Sequence, residues 1–96
     1  MWEGYHTQRW VKLREKILRR DGYRSREAAR YGNLRTPANV VHHCWPAEEY
    51  PEFAWEAWNL ISITEDEHRA MHNPDGSLTD LGEAWRKRAR PPRPAT

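Results

Sequence analysis

The chain has 96 residues and a formal net charge of +2, a size that holds one domain with a thin stability margin. Its single cysteine, Cys44, excludes an internal disulfide and a structural zinc site built from several thiolates; six tryptophans supply apolar area in compensation. No apolar run approaches the ~20 residues that span a bilayer, and the first ten residues lack the apolar stretch of a signal peptide, so no membrane partner is expected and the default setting is a cytoplasm.

The first element is predicted as an α-helix over residues 7–20. Trp10, Leu13, Ile17 and Leu18 recur at helical spacing. Thr7 is placed to cap it, and Asp21-Gly22 ends it as a turn. Residues 9–30 hold nine Lys or Arg against three Asp or Glu, which suggests a face for a polyanion, the alternative being a solvated helix face. Arg9, Lys12, Lys16, Arg19 and Arg20 are the candidate nucleic-acid contacts here, with Arg69 further on. With Arg14 included, these side chains circle the helix too widely for all to touch one duplex, and some only solubilise.

A short second helix is expected over residues 25–31, capped by Ser25 and stopped by Gly32-Asn33. Val40-Val41-His42-His43 reads as a β-branched strand whose length Pro46 limits. Residues 51–58 read as one or two helical turns carrying Phe53, Trp55 and Trp58, interrupted by Asn59. Leu60-Ile61-Ser62-Ile63 alternates like a half-buried strand.

Thr64 and Glu67 then form a capping-box pattern at the start of a helix that carries His68 and His72 and stops at Asn73-Pro74. Asp75-Gly76 is a turn, and Ser77 or Thr79 caps a last helix through Trp85 to about Arg88. Residues 48–67 contain seven acidic residues and no Lys or Arg, whereas residues 86–93 contain five basic residues and no acidic one. Residues 91–96 are proline-rich and expected to be disordered. Trp45, Trp55, Trp58 and Trp85 are expected in the core. Trp2 and His6 are assigned no role, and Cys44 is expected to be a buried bystander.

Four of the five histidines form one adjacent pair and one i, i+4 pair. Helical residues four apart project from one face, so His68 and His72 can approach one ion. Adjacent strand residues point to opposite faces, so His42 and His43 are expected to do different jobs. Either pair alone is unremarkable. Together with Asn59 they fall within one strand–strand–helix unit.

The segment WVKLREKILRRDGY at residues 10–23 resembles the lead-in of phage and bacterial HNH endonucleases. Residues 40–72, VVHHCWPAEEYPEFAWEAWNLISITEDEHRAMH, resemble the catalytic core of that family, the ββα-metal (His-Me) finger. The separations fit: 16 residues from His43 to Asn59, nine to His68 and four more to His72. The resemblance implies an α+β fold with a two-stranded antiparallel hairpin and flanking helices. It implies a single nuclease domain over residues 1–90, with the finger at about 39–73.

By the same resemblance, His43 is the general base that activates a water. His42, His68 and His72 are metal ligands, with contact to the scissile phosphate as an alternative role for His72. Asn59 pins the loop between the strands and orients the base. One divalent ion is implied. A histidine-rich set suits Zn, Ni, Mn or Co, while Mg or Mn could be the productive ion. The implied activity is hydrolysis of DNA, or RNA, with low sequence specificity, in a bacterial cytoplasm and from a gene of possible phage origin. A phage packaging or restriction subunit is a partner the family allows. The alternatives are a non-catalytic, metal-stabilised nucleic-acid-binding module, and a nuclease domain from a toxin.

Many small members of this family carry two Cys-x-x-Cys pairs that bind a separate zinc. The corresponding places are Ser25 and Ala28, and Thr64 and Glu67, so that zinc is expected to be absent. Tryptophan-rich packing and the short helix at residues 25–31 would hold the lead-in instead.

Overall fold

The computed structural model describes residues 2–92. Of the segment expected to be a disordered tail, residues 93–96 lie outside the described residues. Among the described residues the architecture is α+β, a two-stranded antiparallel sheet with four α-helices and three 3₁₀ turns. No helix among them is long and apolar enough to cross a membrane.

Helix α1 spans Gln8–Arg20 and follows a 3₁₀ turn, Glu3–His6. Thr7 accepts the Trp10 N–H and so satisfies one of the free amides at the helix start. Helix α2, Arg26–Ala29, is capped by Ser25 but shorter than its sequence pattern predicts. The amides of Arg30, Tyr31 and Gly32 bond three residues back, so the last turn tightens before Gly32 adopts a positive φ.

Strand β1, Val40–His43, pairs with β2, Leu60–Ile63, in the register Val40↔Ile63 to His43↔Leu60. The link between them holds two 3₁₀ turns, Pro51–Phe53 and Ala57–Asn59. All four residues of β2 are buried, which corrects the half-buried strand expected from its alternation. The sheet is sandwiched. On one face Val41 and Leu60 pack with Trp10, Ile17 and Leu18 of α1. On the other face Cys44, Ile61 and Ile63 pack with Met71 and Trp85.

Helix α3 spans Glu65–Ala70, with the capping box of Thr64 and Glu67 formed as predicted. It ends before His72, earlier than the pattern at residues 64–73 implies. His72 instead bridges to Leu78, and Asn73 donates its amide to the Ser77 carbonyl. Pro74 also disfavours helical backbone at Asn73. Helix α4, Asp80–Arg88, is capped by Thr79. It approaches α3 so closely that a Cβ at Gly82 would lie 2.5 Å from the Met71 carbonyl oxygen.

Candidate functional site

The period of two along β1 sends the adjacent histidines to opposite faces. His42 faces α3, and His43 faces α1 and the N-terminal turn. Both are nearly inaccessible to solvent.

On the α3 face, His42, His68 and His72 converge. Each offers a ring nitrogen, and the three nitrogens lie within 4.8 Å of one another. The ring centroids are 4.9 to 5.4 Å apart. His42 is 1% exposed, and its Nε2 has no hydrogen-bond partner among the described residues. A buried polar atom left without a partner is destabilising, so its persistence calls for an explanation. Burial, then the neighbouring imidazoles, hold the His42 pKa well below the ordinary histidine range. His68 is lowered by burial and by His72. Neutral imidazoles keep the lone pairs that a cation needs. The donor set therefore fits one divalent ion, and the orphaned Nε2 is the atom such an ion would satisfy.

On the α1 face, His43 Nε2 lies 3.0 Å from the Ala54 carbonyl oxygen. A carbonyl only accepts, so Nε2 carries the proton and Nδ1 carries the lone pair. That lone pair receives the Tyr5 hydroxyl at 3.1 Å. The imidazole stacks on Trp10 with centroids 5.0 Å apart, and Trp2 meets it edge-on at 5.0 Å. Burial pushes the His43 pKa down to about 4, against a smaller opposing effect of the Ala54 carbonyl. His43 is thus neutral at pH 7 in a defined tautomer.

The two faces meet at one opening. A cavity of about 390 Å³ is lined by His42, His43, His68, His72 and Tyr5. His43 stands outside the three-nitrogen cluster yet shares its cavity.

Asn59 is completely buried. Its Oδ1 accepts the Trp45 N–H at 2.7 Å, and its Nδ2 donates to the carbonyls of Trp45 at 3.0 Å and Phe53 at 3.2 Å. The side chain ties both ends of the inter-strand link together. It reaches His43 only indirectly, by fixing the Phe53 carbonyl one residue before the carbonyl that holds the ring.

The four places matched to zinc cysteines also meet in space. Ser25 Oγ accepts the Ala28 N–H at 3.0 Å and donates to Glu67 Oε1 at 2.5 Å. The same carboxylate oxygen accepts the Thr64 N–H at 2.8 Å, and Thr64 Oγ1 accepts the Glu67 N–H at 3.0 Å. A closed hydrogen-bond clasp joins the start of α2 to the start of α3. Cys44 packs in the core, and burial raises its thiol to about 12.

Arg9, Lys12, Lys16 and Arg19 are exposed. Their spacing of three, four and three residues puts these four on one stripe of α1, whereas Arg14 lies off it and donates to the Asn39 carbonyl. Arg9 lies over the Trp55 ring, 4.0 Å from its centroid. Arg20 is engaged within the fold. Its guanidinium pairs with Asp21 and donates to the Ala57 and Leu60 carbonyls. Arg69 is exposed on α3 and pairs with Asp66.

Sequence reasoning gave no role to Trp2, Tyr5 or Ala54, which surround His43. Long-range aromatic packing has no local signature. The only sequence signal for Trp2 and Tyr5 is an aromatic pair three residues apart ahead of α1. No family model matches the chain, and no curated protein or solved structure is significantly similar to it.

Proposed function

We propose that this chain is an HNH-type endonuclease with a ββα-metal (His-Me) finger formed by β1, β2 and α3, hydrolysing DNA phosphodiesters with one divalent ion. The reading rests on one observation: His42, His68 and His72 converge, and neutral His43 faces the same cavity. The three imidazoles would hold the ion, which would neutralise charge developing on the phosphate and its leaving oxygen.

His43 Nδ1 takes a proton from water. The water oxygen bonds to phosphorus as the bond to the leaving ester oxygen breaks, and that oxygen acquires a proton from solvent. Ala54 fixes the tautomer, and Asn59 fixes the link that carries Ala54. A base with a pKa of about 4 is weak at neutral pH. A phosphate anion entering beside the ring favours the imidazolium and raises that pKa, against the opposing effect a divalent ion would have. The basic stripe of α1 supplies attraction for the backbone without base readout, consistent with low sequence specificity.

One observation favours a second reading, a metal-stabilised binding module without cleavage. The Tyr5 hydroxyl occupies the lone pair that a base would use. Plasmid nicking with added Mn, Mg, Zn, Ni or Co, with EDTA, and with His43→Ala separates the two. Metal-dependent nicking that His43→Ala abolishes supports the nuclease. Nucleic-acid binding without nicking under any of these ions supports the module.

A further inference from the structure

A second cavity, of about 470 Å³, lies at the outer edge of β2 and shares no lining residue with the histidine cavity. Five arginines line it, from the end of α1, from α2 and from the end of α4, and no Asp or Glu does. Two carboxylates behind the wall compensate part of this charge. Asp21 binds Arg20 and lies 3.5 Å from Arg26, and Glu27 lies 3.5 Å from Arg30. Arg88 rests over the Trp85 ring, and Arg90 donates to the Lys87 carbonyl. Among the described residues neither has a carboxylate partner. Five cations against two anions leave a surplus facing one hollow. Trp58, half-buried and braced edge-on by Phe53, forms part of the same wall.

We propose that this arginine-lined cavity is a binding site for a single-stranded nucleic-acid segment, with phosphates on Arg26, Arg30, Arg88 and Arg90 and one base against Trp58. Guanidinium groups match phosphate geometry with paired donors. An aromatic wall beside them suits an unstacked base, which a duplex does not offer. The volume lies within the ~300–1,000 Å³ of small-ligand pockets, room for one nucleotide rather than a helix. This extends the nuclease reading by giving its substrate a second hold on the opposite edge of the sheet from the histidines. Binding here needs no metal, so the two ideas can fail separately.

The test is anisotropy of a labelled short oligothymidylate in EDTA, titrated across salt. Arg88→Ala/Arg90→Ala should weaken binding and make the plot of log K against log salt shallower by about 1.4, two phosphate contacts at ~0.7 each. Arg88→Lys/Arg90→Lys should restore the slope. Trp58→Ala should weaken binding without changing the slope, because stacking releases no counterions. Thermal melts check that each variant is folded, and Arg90→Ala alone, with an expected change of about 0.7, substitutes if the double variant is not. Parental affinity and slope in the folded arginine variants would overturn the site. So would displacement of the oligonucleotide by polyglutamate as efficiently as by unlabelled oligothymidylate. Arginine-dependent binding in a protein that never nicks DNA would sink the nuclease and leave this site standing.

Discussion

The two ends of α3 make opposite use of similar polar material. At its start, Ser25, Thr64 and Glu67 form a closed clasp in which hydroxyls, amides and a carboxylate oxygen answer one another. At its end, His68 and His72 turn toward His42, whose buried Nε2 has no hydrogen-bond partner among the described residues. Both regions join distant parts of the chain. The clasp resembles a finished structural joint. The histidine cluster instead brings three ring nitrogens within 4.8 Å of one another, a donor set that could hold a cation. A buried group that is fully bonded is explained within the fold, whereas one without a partner among the described residues calls for an explanation such as water, strain or an ion.

The largest effect expected is on chemistry. His43→Ala should lower nicking by about 10²–10⁴-fold, the usual contribution of a positioned base. Metal affinity should survive, because His43 lies on the other face of β1. Equal loss of metal binding would mean that the adjacent pair have exchanged roles.

The two ends of α3 should then separate by readout. His68→Ala should weaken metal affinity in calorimetry by at least tenfold, because it removes one of three donors. Glu67→Ala should leave that affinity near its parental value and destabilise the fold by about 1–3 kcal/mol, by stranding the Ser25 hydroxyl and the Thr64 amide. If Glu67→Ala abolished metal binding while the protein remained folded, the division into a structural and a ligand-binding end would be wrong.

Acid should expose the buried imidazoles in metal-free protein. His43 has a folded pKa of about 4 against an ordinary 6.5, so below about pH 6.5 the unfolded chain takes up a proton that the folded chain refuses. Stability is present above that pH and is lost as pH falls through about 4. The loss due to His43 alone is about 3 kcal/mol. His42 adds to it in the same direction. Urea titrations between pH 7 and pH 4 measure this. Stability that rose on acidification over that range would require the rings to be paired with carboxylates, and a flat profile would require them to be exposed.

The sequence carried most of the local structure. Caps at Thr7, Ser25 and Thr64 act between residues a few positions apart, and those boundaries were legible. The convergence of His42, His68 and His72 was expected from strand and helix periods combined with the family resemblance. Distances of tertiary origin were hidden. Nothing local in Leu60-Ile61-Ser62-Ile63 says that both faces are covered, because alternation reports one buried face and cannot report a second layer. The early end of α3 depends on a bridge from His72 to Leu78, and the pairing of Arg20 with Asp21 and two carbonyls depends on where β2 lies.

Tyr5 is the residue whose role was least legible in the sequence, and it offers the finest test of the contrast. On the histidine side of the molecule a hydroxyl, not a ligand, holds the one lone pair that matters for proton transfer. If the phenol stands where water must arrive, each turnover has to displace it. Removing a hydrogen bond of this kind is worth about 1 kcal/mol, or roughly fivefold in rate. Tyr5→Phe, which keeps the ring against Trp2 and Trp10, should therefore raise nicking about fivefold at saturating metal. A fall of that size would instead put the hydroxyl among the groups that position water, and His43 would act through Tyr5 rather than in competition with it.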